Sequence, residues 1–299
     1  MTVARAPARP AVQALLGAAC ISPMPVLVAL AHSAKAGLVA IVAYRCGLAL
    51  PVLAVLALAE GRRSRRRPWA SRAYAFVAGL LLAVDLVLFN HTIIDVGAGV
   101  STVIGSMYVP FVAGLAWVLL KERPTGRYLV TLSVAIGGIV LASGVVGGSG
   151  TGRDPGAGIL YCVVANVAYA GYLLILRQAS AGTAHVVGQL FDATAGTATG
   201  ALILGLTSGG LQLAVSLRAL GWLLLLSMVV QVAGWILITA SLPAALSSLL
   251  LLLQPALALL LGAIVLGEVP TAIQWTGVVI ASGGVAAAAL AKPKPADRV

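Results

Sequence analysis

A long sequence pattern recurs after 146 residues and limits what this chain can fold into. Residues 108–138 read YVPFVAGLAWVLLKERPTGRYLVTLSVAIGG, and residues 254–284 read QPALALLLGAIVLGEVPTAIQWTGVVIASGG. Identical residues at this spacing include Glu122 and Glu268, Pro124 and Pro270, Thr125 and Thr271, Ala135 and Ala281, and Gly137-Gly138 and Gly283-Gly284. The spacing is about half of the 299 residues, which predicts a duplicated multi-helix half rather than a solenoid of short repeats.

The composition predicts that the protein is embedded in lipid. Hydrophobic residues make up 61% of the chain and charged residues only 9%, whereas a soluble domain carries roughly 25% charged residues. Apolar runs of about 20 residues recur along the chain, and each is long enough to cross a bilayer as a helix that satisfies its own backbone hydrogen bonds. We therefore expect an all-α integral membrane protein.

Ten apolar runs are predicted to be transmembrane helices, in two sets of five. Their bounds are 11–30, 36–58, 73–94, 97–120, 127–146, 157–177, 186–207, 219–240, 243–266 and 272–291. The predicted parts of the chain are an N-terminal tail (1–10), a first five-helix repeat (11–146), a Gly-rich flexible linker (147–156), a second five-helix repeat (157–291) and a C-terminal tail (292–299). The first run also resembles a secretory signal, but its removal would leave four helices against five, so we expect it to be retained.

Lysine and arginine in the short loops predict the orientation of the helices. With the N-terminus inside, the inner segments hold Arg5, Arg9, Arg62, Arg63, Arg65, Arg66, Arg67, Arg72, Lys121, Arg123, Arg127, Arg177, Lys292, Lys294 and Arg298, and the outer segments hold Lys35, Arg153 and Arg218. This bias predicts a multi-pass protein of the cell membrane with both termini in the cytoplasm. Attraction of inner loops to anionic lipid also accounts for the net charge of +11, so nucleic acid is not expected as a partner.

An odd number of helices in each half requires the two halves to cross the membrane in opposite directions. The turn with Glu122 is then inside, where it carries Lys121 and Arg123, and the turn with Glu268 is outside and carries no cation. This charge pattern is expected of inverted-topology repeats that enclose a central cavity.

Two hairpins, at 110–138 and 255–284, share a motif: a mid-helix proline, an apolar run, Glu, Pro-Thr and a helix of small residues. Tyr44-Arg45 in the second span and YAGYLLILR (169–177) in the sixth fit the same family pattern. On these residues the chain resembles an EamA-type member of the drug/metabolite transporter (DMT) superfamily over nearly its whole length. The resemblance implies a ten-helix carrier with a central cavity, which usually exports amino acids or small metabolites, and it does not specify the substrate.

Arg45 and Asp85 are the first candidates for the cavity. At ~1.5 Å per residue they lie about 14 and 15 Å deep on sequential antiparallel helices, a depth that permits an ion pair. Ionisable groups in hydrocarbon are costly and mark interior positions. Three interpretations stay open, namely a structural pair, a contact with substrate, and a proton-linked switch.

Three further residues are candidates for the cavity or for coupling to protons. Asn90 and His91 lie near the outer end of the third span, where the histidine either titrates near neutral pH or extends towards the interface. Asp192 lies in the inner third of the seventh span and serves either a proton path or a wetted helix start.

Helix-breaking prolines and mid-span polar residues complete the candidate cavity. Pro110 and Pro255 are expected as breaks or hinges, flanked by Tyr108 and Gln254 near the midplane, unless the prolines only bend the helices for packing. The remaining candidates are two amide–aromatic pairs, Asn166 with Tyr169 and Gln231 with Trp235. The members of each pair share one helix face. Such pairs suit either a mostly apolar binding pocket or a packed interior.

Two recurring features of the repeat are expected to be structural. Glu122 and Glu268 should favour the starts of the helices that follow them. The glycine pairs should allow close helix approach within each half.

The expected function is secondary transport of a small metabolite, with protons as a candidate coupling ion. The chain has no Walker sequence, and Cys20, Cys46 and Cys162 lie in spans without metal-ligand spacing, so neither a cofactor nor a metal is expected. One alternative is a flippase for a lipid or lipid-linked substrate in the same superfamily. Another is an intramembrane enzyme, which the isolated acids Asp85 and Asp192 disfavour.

Overall fold

The computed structural model of this chain is all α-helix, with no strand in the part that it describes. The described residues are 8–63, 67–106, 108, 111–112, 114–115, 118, 126–142, 152–180, 185–237 and 254–290. The predictions for Pro110 and Glu122 therefore lie outside the described residues, whereas Tyr108, Pro255 and Glu268 lie within them.

The described helices are α1 (Ala8–Ile21), α2 (Met24–Ser33), α3 (Leu38–Arg63), α4 (Trp69–Val96), α5 (Ala98–Gly105), α6 (Gly126–Ala142), α7 (Pro155–Ser180), α8 (Val186–Thr207), α9 (Leu217–Leu237), α10 (Gln254–Leu266) and α11 (Ala272–Leu290). Six helices in this part of the chain are long and apolar enough to cross a membrane: Leu15–Ser33, which joins α1 to α2, and α3, α4, α7, α8 and α9. Leu129–Ala142 and α10 are shorter apolar helices. This composition of helices is that of a multi-pass membrane protein.

Each predicted span contains described helix, although five spans are described only in part, namely 97–120, 127–146, 219–240, 243–266 and 272–291. The first span differs from the prediction because it is broken between α1 and α2. Pro23 lies in the break and Pro25 follows it, and each lacks the backbone N–H that would continue the hydrogen-bond ladder. Part of the predicted linker is also ordered, because Asp154 N donates to Asp95 O at 3.2 Å and α7 begins at Pro155.

The two ends of α4, which is 28 residues long, carry separate groups of contacts. At its start, which we call the Arg67 end, Arg67 Nη1 lies 2.7 Å from Asp192 Oδ2 near the start of α8. At its other end, which we call the Gly97 end, the chain before α7 hydrogen-bonds to the last carbonyls of α4. Loops predicted to be inside thus meet at the Arg67 end, and loops predicted to be outside meet at the Gly97 end.

α3 and α8 run antiparallel to each other. Near the Arg67 end, a carboxylate oxygen of Glu60 in α3 accepts a hydrogen bond from Gly188 N in α8 at 2.7 Å. At the other end, a Cβ placed on Gly37, just before α3, would lie 3.7 Å from Gly210 O, just after α8. The start of one helix therefore lies beside the end of the other.

α6 and α11 pack closely through small residues. A Cβ on Gly138 would overlap Ala281 N, and a Cβ on Gly284 would lie 2.8 Å from Ala135 N, whereas a Cβ on Gly137 would meet nothing within 4 Å. Rising residue numbers on α6 meet falling numbers on α11, so these helices are also antiparallel. The prediction that the glycines pack within each half is wrong, because the last helix of one half lies directly against the last helix of the other.

Candidate functional site

Arg45 lies in a buried polar chain that joins three helices. Its side chain is 3% exposed, and Nε donates to Gln231 Oε1 of α9 at 2.9 Å. Gln231 Nε2 in turn donates to Thr194 Oγ1 of α8 at 3.1 Å. Arg45 Nη1 also lies 3.2 Å from Met24 Sδ of α2. A guanidinium that is buried in an apolar bundle needs hydrogen-bond acceptors around it. Gln231 Oε1 and Met24 Sδ are the two acceptors that the described residues supply here.

The helix that carries Gln231 is locally widened. Residues Leu226–Gly234 of α9 form a π-helix, in which each backbone N–H bonds to the carbonyl five residues earlier instead of four. Such segments are common at functional sites because they turn side chains away from the ordinary α-helical face. Gln231 is 1% exposed and uses both its oxygen and its nitrogen in the polar chain.

Asp85 lies on α4, 9% exposed, and has no such partner. Within the described residues its carboxylate accepts no hydrogen bond and lies within 4.0 Å of no cationic nitrogen. The ion pair that the sequence permits is therefore not formed in this structure, and the two contacts of the guanidinium with described residues go to Gln231 and Met24.

Three tyrosine rings lie together, and two of them belong to α7. The ring centroids of Tyr108 and Tyr169 are 5.1 Å apart at an interplanar angle of 76°, and those of Tyr169 and Tyr172 are 5.4 Å apart at 34°. Tyr172 packs in one apolar cluster with Leu82 and Leu86, which precede and follow Asp85 on α4. We call Tyr108, Tyr169 and Tyr172 the tyrosine cluster.

Other predicted cavity residues make local contacts. Asn166 Nδ2 donates to Cys162 O on its own helix at 2.9 Å. Asn90 is 2% exposed and donates to Leu38 O at the start of α3 at 3.0 Å, which ties two helices together. Trp235 packs against apolar clusters, Gln254 is partly exposed at the start of α10, and Pro255 is buried beside it.

The two remaining candidates for proton coupling already have partners. The His91 ring lies 5.1 Å from the Tyr161 ring, centroid to centroid. Asp192 lies 2.7 Å from Arg67 and 3.5 Å from Arg72, and the Asp192 and Arg67 side chains are 8% and 7% exposed. Asp192 is therefore part of a buried ion pair at the Arg67 end.

Two glutamates cap helices to which they are not adjacent in sequence. Glu268 accepts hydrogen bonds from Ala98 N and Gly99 N at 2.7 and 2.8 Å, at the start of α5. Glu60 accepts from Val187 N and Gly188 N at 3.2 and 2.7 Å, at the start of α8. A carboxylate at a helix N-terminus satisfies free amides and the helix dipole. Glu268 thus stabilises the start of a helix, as predicted. The helix is α5, however, and not the one that follows Glu268 in the sequence.

Sequence patterns alone missed several of these residues, namely Met24, Thr194, Tyr172, Glu60 and Arg67. Tyr172 had a usable signal, because it is three residues from Tyr169 and so shares its helix face. Thr194 lies in a run of small residues, DATAGTATG, that gives no sign of which threonine meets Gln231.

A family comparison bears on the first half of the chain, which supplies Arg45, Asp85 and Tyr108. Residues 9–144 match the model of the EamA-like transporter family. These residues form an EamA family domain. The prediction of an EamA-type fold is thereby confirmed for residues 9–144, and the match is consistent with the DMT superfamily. Tyr169, Thr194 and Gln231 lie beyond the EamA domain, so the polar chain and the tyrosine cluster join that domain to the rest of the chain.

Two relatives extend the comparison beyond the EamA domain. The uncharacterized transporter YwfM of Bacillus subtilis (strain 168) is 28% identical over 256 residues, which are 81% of this chain and 82% of YwfM. A crystal structure described only as that of a protein has a TM-score of 0.64 at 16% identity, and the match covers 95% of this chain and 98% of that one. The second similarity shows a shared fold. The EamA domain and the apolar helices together support a multi-pass membrane transporter.

Proposed function

We propose that this protein is a secondary transporter that moves a small metabolite across the cell membrane by alternating access. The observation that carries the proposal is the buried polar site between the EamA domain and the second half. Arg45 is bound there by Gln231, and Asp85 has no partner among the described residues. A mostly apolar interior with a few placed polar groups suits a small-molecule site.

The proposal includes ten helices in two inverted halves. α3 and α8 occupy equivalent places under the 146-residue repeat, as do α6 and α11, and both pairs are antiparallel. Ala135 corresponds to Ala281 in the repeat, and Gly138 corresponds to Gly284. The repeat therefore converts the Ala135–Gly284 contact into the Gly138–Ala281 contact. Helices related in this way support inverted topology, in which rocking of one half against the other opens a shared site to each side in turn.

Orientation and direction are part of the same proposal. Arg67 and Arg72 both lie beside Asp192 at the Arg67 end, and together with the bias of the loop charges in the sequence this supports a cytoplasmic position for that end and for both termini. Export is the direction that the family resemblance implies. Asp85 is the proposed proton-coupling acid, since Asp192 is held by Arg67.

The test is efflux from proteoliposomes that are loaded with the small-molecule fraction of a cell extract. We expect selective loss of one or a few compounds from vesicles with the wild-type protein, compared with protein-free vesicles. Arg45→Met should abolish this loss, whereas Lys35→Gln, at an exposed loop position, should retain it. Identical contents in protein-containing and protein-free vesicles would exclude the transport function.

A further inference from the structure

The acids and the arginines at the Arg67 end differ in their exposure. The two acids that the described residues place there are engaged inside the protein, Glu60 with the start of α8 and Asp192 with Arg67. In contrast, Arg62 at the end of α3 and Arg177 in the last turn of α7 are exposed. The described part of this end thus presents positive charge to its surroundings and keeps its acids inside.

An open groove begins at the same level, between α4 and α7. The end of α7 lies against the start of α4, because Ser71 Oγ donates to Ala179 O at 2.6 Å. The groove has a volume of about 390 Å³ and is lined by four residues of α4 and one of α7: Ala70, Ala73, Tyr74, Val77 and Ile175. From Ala70 to Val77 it extends about 10 Å along α4, at ~1.5 Å per residue, which is shorter than one leaflet of a hydrocarbon core ~30 Å thick.

Exposed aromatic side chains mark the level of the membrane surface beside the groove. Trp69, the first residue of α4, is 78% exposed, and Tyr74 on the groove wall is 50% exposed. Trp and Tyr are enriched where the hydrocarbon core meets the headgroups, because their rings have an apolar body and a polar tip. The groove therefore extends from the headgroup level at Trp69 into the acyl-chain region of one leaflet.

We propose that the groove binds one acyl chain of an anionic phospholipid, whose phosphate lies at the level of the exposed arginines of the Arg67 end. The groove wall is as apolar as the lipid tails around it, so chain contact alone does not select one lipid over another. The headgroup does, because basic residues beside a membrane span attract anionic lipid. A choline or ethanolamine group would find Glu60 and Asp192 already engaged. The inference goes beyond the proposed function and holds for any transported substrate.

The test is a lipid titration of the purified, delipidated full-length protein, followed by native mass spectrometry. The probes are dioleoyl phosphatidylglycerol, dioleoyl phosphatidylcholine with the same chains, and glycerol 3-phosphate, which carries the anion without chains. We expect the first lipid to bind at a concentration about fivefold lower for phosphatidylglycerol than for phosphatidylcholine. Glycerol 3-phosphate at the same concentrations should not displace phosphatidylglycerol.

Variants test the chain and the headgroup separately. Ala73→Phe fills the groove and should raise the phosphatidylglycerol concentration needed severalfold, whereas Ala272→Phe, at an exposed position at the start of α11, should not. Arg62→Gln combined with Arg177→Gln should remove most of the preference for phosphatidylglycerol. Arg218→Gln, which removes an exposed arginine at the start of α9, away from the Arg67 end, should leave that preference unchanged.

Several outcomes would overturn the proposal. Two of them are equal binding of the two lipids and unchanged binding of phosphatidylglycerol to Ala73→Phe. Displacement by glycerol 3-phosphate would show an anion site without an acyl chain, and a protein dimer that dissociates as lipid is added would show that a second copy occupies the groove. Each of these results leaves the transport proposal intact, because efflux from proteoliposomes tests that proposal independently.

Discussion

Burial of Arg45 makes its hydrogen bond with Gln231 an energetic requirement at the residue scale. The guanidinium is 3% exposed, and Gln231 Oε1 lies 2.9 Å from Nε. In the low dielectric of a helix bundle, a charged donor without an acceptor destabilises the folded state, because no hydrogen bond offsets its desolvation.

Gln231→Leu should therefore destabilise the protein by about 2 kcal/mol, the range for a hydrogen bond to a charged group. Thermal unfolding of the purified variant measures the loss. The double variant Arg45→Met with Gln231→Leu is the control, because removal of both partners should restore most of the stability. A double variant as unstable as Gln231→Leu would show that Gln231 acts by packing alone.

Both residues were recognisable in the sequence, but their connection was not. Arg45 and Gln231 stand out because polar side chains are rare inside long apolar spans. The link depends on the π-helix at Leu226–Gly234, whose extra residue rotates the side chains by an amount that hydrophobic periodicity does not reveal. The same limit explains why an Arg45–Asp85 ion pair could only be called permitted: depth along a helix can be counted from the sequence, but rotation about the helix axis cannot.

At the scale of elements, the contact between α6 and α11 depends on one of two adjacent glycines. A Cβ on Gly138 would overlap the backbone of α11, and a Cβ on Gly137 would meet nothing within 4 Å. Gly138→Ala should cost about 1–3 kcal/mol because the helices must separate. Gly137→Ala should be neutral or gain up to ~1 kcal/mol from helix propensity. Thermal unfolding of the two variants decides this, and equal midpoints would contradict the close contact.

The ion pair at the Arg67 end allows a second comparison between neighbours. Arg67→Gln leaves Asp192 buried without its 2.7 Å partner, which should cost roughly 3–5 kcal/mol. Arg72 lies 3.5 Å from the same carboxylate with its side chain 50% exposed, so Arg72→Gln should cost less than about 1 kcal/mol. Chemical or thermal unfolding of both variants measures the difference. A larger loss for Arg72→Gln would show that the exposed arginine carries the contact.

Helix positions were largely predictable, whereas helix partners were not. The bounds of α8 agree with the span 186–207, because hydropathy along the chain directly reflects the thickness of the bilayer. The partner of Gly138 was assigned to the wrong half, since a small-residue motif shows that a helix approaches closely but not which one. Glu268 likewise indicated a helix N-terminus without indicating that the helix would be α5.

For the whole molecule, the glutamate caps tie the two halves together at opposite ends. Glu60 belongs to the first half and caps α8 of the second, whereas Glu268 belongs to the second half and caps α5 of the first. The two caps are separated by the length of α4, about 42 Å at ~1.5 Å per residue. If the protein alternates its access, the contact at one end must loosen while the other holds.

Glu268→Gln should weaken the closure of the Gly97 end alone. A glutamine has one acceptor oxygen, so it keeps at most one of the two amide hydrogen bonds that the carboxylate accepts. Cys162 reports on this end, because it is fully buried in one cluster with Val100 of α5 and Leu259 of α10. In cells that express a Cys20→Ser, Cys46→Ala background, an impermeant maleimide added outside should label Cys162 severalfold faster when Glu268→Gln is added.

Glu60→Gln in the same background is the matched control, since it removes the same charge at the Arg67 end. Labelling of Cys162 from outside should then stay at the background rate. If both variants speed labelling equally, the caps contribute only general stability and do not close separate ends. If neither does, the contact between α5 and α10 is maintained by packing, because a Cβ on Gly99 would lie 2.9 Å from Leu259 Cδ1 and a Cβ on Gly262 would lie 3.1 Å from Gly99 N.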